Sequence, residues 1–154
     1  MHFRIRGLPT ETFAHLFALP DDELAQRHAV RRIATEHPGF PCRVSLTDAA
    51  PGDEVILVNY EHLPVASPYR ASHAIYVRAG EQQFDAVDDV PDMLRKRLLS
   101  LRGFDAQGMM TRADVIEGRD LEASIEEFFG DDATEYLHAH IARPGCYAAR
   151  IERA

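Results

Sequence analysis

Three groups of side chains in this sequence have types and spacings that could do chemistry. The first is Cys42, which sits in a loop between Pro41 and Arg43. A neighbouring cation favours the thiolate, the reactive form of cysteine, so Cys42 could act as a nucleophile with His73 or His37 as its base. The competing reading is structural, because free cysteine is among the most buried residue types. No local spacing joins Cys42 to either histidine, and the structural reading is favoured.

The second group is His138 and His140, two positions apart on a predicted strand and therefore on one face, where they could chelate one metal. The four-residue loop Ala142-Arg143-Pro144-Gly145 sets the hairpin register, placing Tyr147 opposite His140 and Cys146 opposite Ile141. The histidines then share a face with Tyr136 and Tyr147, while Cys146 falls with Leu137, Ala139, Ile141 and Ala148. That second face is the better core, so Cys146 is read as structure and not as a third ligand. A one-residue slip would reverse the assignment. Structural zinc sites need four ligands. With no third one identified, the reading assigns no metal and no cofactor, and His138 and His140 stand only as weak candidates.

The third group is cationic. Arg31, Arg32, Arg43 and Arg70 lie in or beside the stretch from Glu36 to Val77, with Ser45, Ser67, Tyr69, Ser72 and His73 nearby as neutral hydrogen-bonding groups. If the loops 38–46 and 67–73 meet at one end of the central strands, Arg43, Tyr69, Arg70, Ser72 and His73 form a donor-rich pocket. Guanidinium forks there suit a carboxylate or phosphate bidentately. Alternatively, Arg43 and Arg70 pair with Asp48, Asp53 or Glu54 and pin the loops, as ordinary ion pairs do.

Positioning these groups falls to a set of short strands. Residues 2–8 read as a strand with Phe3 and Ile5 facing in. Phe13, Leu16 and Phe17 form the stripe of a short helix, and Asp21-Asp22-Glu23 opens another. Residues 29–35 are ambiguous and read as a strand. Val55–Tyr60 is apolar on both faces and reads as a central strand, with 73–78 as its partner. Residues 79–90 read as an acidic loop and Pro91–Leu94 as a helical turn. Leu98–Phe104 and Met109–Ile116 form a hairpin around Asp105-Ala106-Gln107-Gly108. Asp120 caps a helix carrying Leu121, Ile125, Phe128 and Phe129 on one face, with Glu122, Glu126 and Glu127 solvated on the other. The expectation is a single α+β domain over residues 1–154, with a predominantly antiparallel sheet of about seven strands and two or three short helices.

The totals exclude whole classes of function. At 154 residues the chain can bury one core without staples, and its net charge of −8 lacks the basic footprint that nucleic-acid binding needs. No apolar run approaches a membrane span, and the N-terminus has no apolar signal region, so a cytoplasmic location is expected. The two cysteines read as reduced thiols. Lys96 is the single lysine, so any bound anion will meet mostly guanidinium groups.

Taken together, Pro41-Cys42-Arg43-Val44-Ser45-Leu46 with Asp48-Ala49 and Pro51-Gly52, then Tyr69-Arg70 and His73-Ala74-Ile75-Tyr76-Val77, resemble a bacterial family known as domain of unknown function 1203. Leu101-Arg102-Gly103-Phe104-Asp105, Gly145-Cys146-Tyr147 and Arg150-Ile151-Glu152-Arg153 fit it as well. The resemblance implies a small bacterial protein and carries over no activity and no site residue.

The favoured reading is a domain that binds a small anionic ligand or a partner through the loops around Arg43 and Arg70. The alternatives are a small hydrolase or transferase using Cys42 or His73, and a structural subunit, such as a homodimer, acting through an exposed sheet edge.

Overall fold

The computed structural model describes residues 1–154. Two sheets account for the architecture. The larger contains β1 (Phe3–Arg6), β7 (Asp85–Val87), β8 (Leu98–Phe104), β9 (Met110–Glu117), β10 (Tyr136–Ile141) and β11 (Tyr147–Arg153) in the order β7-β1-β11-β10-β8-β9. The smaller contains β2 (Ala29–Ile33), β3 (Pro41–Cys42), β4 (Thr47–Asp48), β5 (Glu54–Leu63) and β6 (Ala71–Arg78) in the order β2-β5-β6-β3-β4. Pairing is antiparallel throughout except where Cys42 meets Tyr76 in a short parallel bridge between β3 and β6. The α+β class holds. The strands beyond those expected include β3, β4 and β7, each two or three residues long and too short for alternation to reveal.

The larger core lies on one face of the larger sheet. Leu99 and Leu101 of β8, Leu137, Ala139 and Ile141 of β10, and Ala149 and Ile151 of β11 meet the apolar stripe of α3 (Leu121–Phe129). Leu121, Ile125, Phe128 and Phe129 recur at helical spacing, and burying each contributes about 1.5–3 kcal/mol. The helix α2 (Asp92–Arg95) adds Met93 and Leu94. Asp120 precedes α3 without a side-chain cap; its carbonyl accepts from the Ser124 hydroxyl at 3.0 Å.

A second core covers one face of the smaller sheet. Ile56 and Val58 of β5 and Ile75 and Val77 of β6 pack against Phe13 and Leu16, from the 3-10 segments near the N-terminus, and against Leu24 of α1 (Asp21–Gln26). Tyr147 belongs to the same cluster although it starts β11 of the other sheet. The two sheets therefore meet, and β10 is buried along its whole length and on both faces. One face is aliphatic against α3; the other carries Tyr136, His138 and His140 towards the smaller sheet.

One close approach fixes the loop that carries Arg43. The Leu8 N–H donates to the Arg43 carbonyl at 2.8 Å, and a Cβ on Gly7 would fall 2.0 Å from the Val44 carbonyl oxygen. Only glycine lets the end of β1 pass this closely.

Candidate functional site

Next to its loop the β10–β11 hairpin has the register the loop length implies: His140 pairs with Tyr147, and the Ile141 N–H donates to the Cys146 carbonyl at 2.9 Å; beyond that pair an irregularity shifts the ladder, so that Ala139 meets Ala149 and His138 meets Arg150. His138 and His140 share a face with Tyr136 and Tyr147; the rings of His138, His140 and Tyr147 are in mutual contact, and Tyr136 joins them through His138. The residue that completes this cluster comes from the smaller sheet. β5 continues past Tyr60 to Leu63, and its ladder with β6 is irregular between Glu61 and Leu63, so His62 is the extra residue of a bulge. A bulge bends the strand and re-aims a side chain. Here it coincides with the entry of His62 among the rings of the facing sheet, its centroid 5.5 Å from His138, 5.1 Å from His140 and 4.9 Å from a stacked Tyr147.

His73 of β6 joins from the adjacent strand. Its Nδ1 lies 2.7 Å from His62 Nε2, so the two imidazoles share one proton between them. His140 Nδ1 is 3.0 Å from the Gly145 carbonyl, which can only accept, so the proton of His140 sits on Nδ1. Three buried ring nitrogens have no partner at all: His62 Nδ1, His138 Nδ1 and His140 Nε2. Ligand-capable nitrogens of these same three residues lie within 4.8 Å of one another.

Desolvation and neighbouring cations keep the cluster neutral. Burial, then repulsion from His73 and Arg102, lowers His62 to about 4. Burial and Arg102 lower His140 to about 3. His138 is pushed well below its ordinary value by burial and by its histidine neighbours, and His73 is lowered by burial, Arg102 and Arg43. Burial pushes the Tyr147 phenol up.

Beside the cluster, with His73 in its wall, opens a cavity of about 760 Å³. Its walls come from the start of β3, from β6, from residues 96–98 and from the turn between β10 and β11. Arg43 and His73 line it together, along with Lys96, Arg97, Arg143 and Cys146, and Glu117 is the one acidic lining residue.

Arg43 occupies the turn between β3 and β4 and is 1% exposed. Its Nε donates to the Tyr147 carbonyl at 2.7 Å, one terminal nitrogen to the Pro41 carbonyl and the other to Cys146 Sγ at 2.9 Å. These bonds tie the smaller sheet to the β10–β11 hairpin. No carboxylate lies within ion-pair distance of this guanidinium. Burial lowers its pKa, which expresses the cost of holding the charge there. The acids that sequence reasoning offered it are engaged elsewhere: Asp48 with Arg97 at 2.5 Å, Asp53 with Arg78 at 2.8 Å and Glu54 with Arg31 at 2.7 Å.

The remaining residues singled out from the sequence lie apart from this cavity. Arg70 forms an exposed pair at 2.9 Å with Glu61, which lies opposite Ser72 in the β5–β6 ladder. Tyr69 packs edge-on to Phe104, because the loop before β6 docks on the β8–β9 turn through Ser67 Oγ and the Gly108 carbonyl at 2.8 Å. Ser72 is exposed. Cys42 is fully enclosed with Ala34, Ala49 and Val55, and burial pushes its thiol up to about 12, so it is a neutral thiol away from the cavity. Cys146 packs against the aliphatic core as its register implies, and its sulfur also reaches Arg43 at the cavity wall.

Sequence reasoning missed His62, Arg97 and Arg143. For His62 a signal existed: Ile56, Val58, Tyr60 and His62 continue one alternation up to Pro64. Arg97 and Arg143 reach the cavity only through tertiary packing.

No helix of the protein is long and apolar enough to cross a membrane. Among known proteins, no curated protein and no solved structure matches the chain. A family does match, over residues 39–153, a span that contains His62, His73, His138, His140 and every residue lining the cavity. The chain belongs to the family described as Protein of unknown function (DUF1203).

Proposed function

We propose that this protein binds a small anionic ligand in the cavity walled by Arg43, His73, Lys96, Arg97 and Arg143. The observation that carries the reading is Arg43, a guanidinium enclosed to 1% exposure on the cavity wall with no carboxylate partner. Burying an uncompensated cation costs several kcal/mol, and an anion in the cavity would offset that cost. A fold that needed Arg43 only to bridge backbone carbonyls could do so with a neutral donor.

The surroundings support the same ligand class. Lys96, paired with Asp92 at 3.4 Å, and the exposed Arg143 stand at the cavity, where Glu117 is the one acidic lining residue, in a chain whose net charge is −8. Arg143 has no ion-pair partner within the protein. Leu57, Ala74, Tyr76 and Ile141 line the remainder, and the volume lies within the ordinary range for small-molecule sites. A carboxylate or phosphate ester with a short apolar body suits this lining: guanidinium groups meet the anion bidentately and the apolar wall covers the rest.

A thermal-shift screen of mono-, di- and tricarboxylates and phosphate esters tests the reading, followed by calorimetric titration of any hit. Arg143→Ala and Lys96→Ala, both exposed and free of core contacts, should fold normally and weaken binding about 10-fold or more each. Binding that is unchanged in both variants, or no stabilisation by any anion of the screen, would overturn it.

A further inference from the structure

We infer that His62, His138 and His140 form a site for one divalent transition-metal ion, set between the two sheets. This goes beyond the anion cavity and uses different residues. Two observations lie behind it: one ligand-capable nitrogen of each histidine lies within 4.8 Å of the other two, and each histidine holds one buried ring nitrogen without a hydrogen-bond partner. His138 is 1% exposed and His140 is completely buried. Native interiors satisfy nearly all buried polar atoms, and three failures within one cluster of side chains call for a common cause. A metal ion supplies it, because the lone pairs of neutral imidazoles are what such an ion takes.

The bonds around the cluster match how metal-bound histidines are held. A ligating imidazole gives its other N–H to a carbonyl or another acceptor, which fixes the tautomer and aims the free nitrogen. His140 Nδ1 meets the Gly145 carbonyl at 3.0 Å, leaving Nε2 as the free lone pair. His62 Nε2 meets His73 Nδ1 at 2.7 Å, and donation from His62 leaves its Nδ1 free. In both residues the nitrogen left over is the one that lacks a partner. His73 is accordingly a positioning residue that orients His62.

The spacing is that of an open site. The nitrogens lie within 4.8 Å of one another, whereas bonds of about 2.0–2.1 Å to a tetrahedral ion place them roughly 3.4 Å apart. Turning the rings, with His62 on its bulge as the adjustable member, closes a gap on the order of an ångström. Arg102 and Arg150 flank His138 on the neighbouring strands and no carboxylate belongs to the ligand set. The ion's charge therefore stays uncompensated by the protein, so its remaining position suits a small anion or hydroxide. The competing account is that the imidazoles are merely an aromatic contact between sheets, stacked as the tyrosines beside them are.

The test is titration of the full chain, purified without chelators or a histidine tag, with Co(II) and Zn(II). One equivalent of Co(II) should produce visible ligand-field bands of a low-coordinate nitrogen site, and one equivalent of Zn(II) should abolish them by displacement. His62→Gln, on the partly exposed member, should retain the fold by circular dichroism and lower affinity at least 100-fold. His138→Gln should remove binding. His73→Phe should lower affinity about 10- to 100-fold while leaving the stoichiometry at one. The site is refuted if neither ion binds at one equivalent. It is equally refuted if binding survives unchanged in His62→Gln, which would place the ion on exposed histidines such as His2 or His37.

Discussion

Acidification from pH 7 to pH 5 should destabilise this protein through its histidine cluster. The folded-state pKa values are depressed, so between an unfolded value of about 6.5 and the folded values the unfolded chain takes up protons first. The stability held by the neutral rings is complete above about pH 6.5 and is lost as pH falls towards about 4 at His62 and about 3 at His140. Over two pH units the linkage amounts to about 2 kcal/mol for the enclosed His140, and His138 acts in the same direction. The partly exposed His62 adds about 1 kcal/mol once solvent screening is discounted. A loss of at least about 3 kcal/mol is a large part of the roughly 5–15 kcal/mol typical of a domain. The carboxylates with lowered pKa values, Asp53, Asp85 and Asp88, titrate below this window and do not contribute. Urea denaturation of the metal-free protein, followed by far-ultraviolet circular dichroism, should show the midpoint falling by at least about 1 M between pH 7 and pH 5. In His140→Asn about 2 kcal/mol of the pH dependence should disappear. Equal midpoints at the two pH values would show that the rings are protonated in the folded state and refute the reasoning.

Three further outcomes follow from the same geometry. Arg43→Ala strips donors from the Tyr147 and Pro41 carbonyls and should cost about 3 kcal/mol in thermal denaturation, even with the buried charge relieved; an unchanged melting temperature would show that these bonds hold nothing. Gly7→Ala drives a methyl into the Val44 carbonyl and should destabilise by about 1–3 kcal/mol, whereas wild-type stability would mean the β1 end does not pass so close. Iodoacetamide applied to the native protein at pH 8 should modify Cys146, at the cavity wall, well ahead of the enclosed Cys42; comparable rates would contradict both burial assignments.

What could be read from the sequence was local. The hairpin loop 142–145 fixed which residue faces His140, and alternation fixed which side chains of β10 share a face. The stripe of α3 and the strands β5, β6, β8 and β9 were legible for the same reason: each carries its own period. The pairing of one sheet with the other was not. β10 alternates aliphatic residues with tyrosine and histidine, a pattern that ordinarily means one core face and one wetter face, and here both are buried. The third histidine stayed hidden because β5 was ended at Tyr60, before the bulge that carries His62. The two loops expected to pool their donors divide instead. The Arg43 turn and His73 reach one cavity, while the segment around Tyr69 and Arg70 docks on the β8–β9 turn through Ser67, Val65 and Gly108. Such docking depends on shape complementarity between distant segments, which no periodicity encodes.

The central claim is that the enclosed Arg43 awaits an anion, and the side-chain N–H resonances of Arg43 test it most directly. In ¹H–¹⁵N spectra of the full chain, the Arg43 Nε–H, bonded to the Tyr147 carbonyl, should appear protected from exchange, and saturating amounts of a carboxylate or phosphate ester that stabilises the protein should shift it together with His73 and Arg143. Shifts confined to the exposed Arg143, with Arg43 and His73 unmoved, would contradict the account.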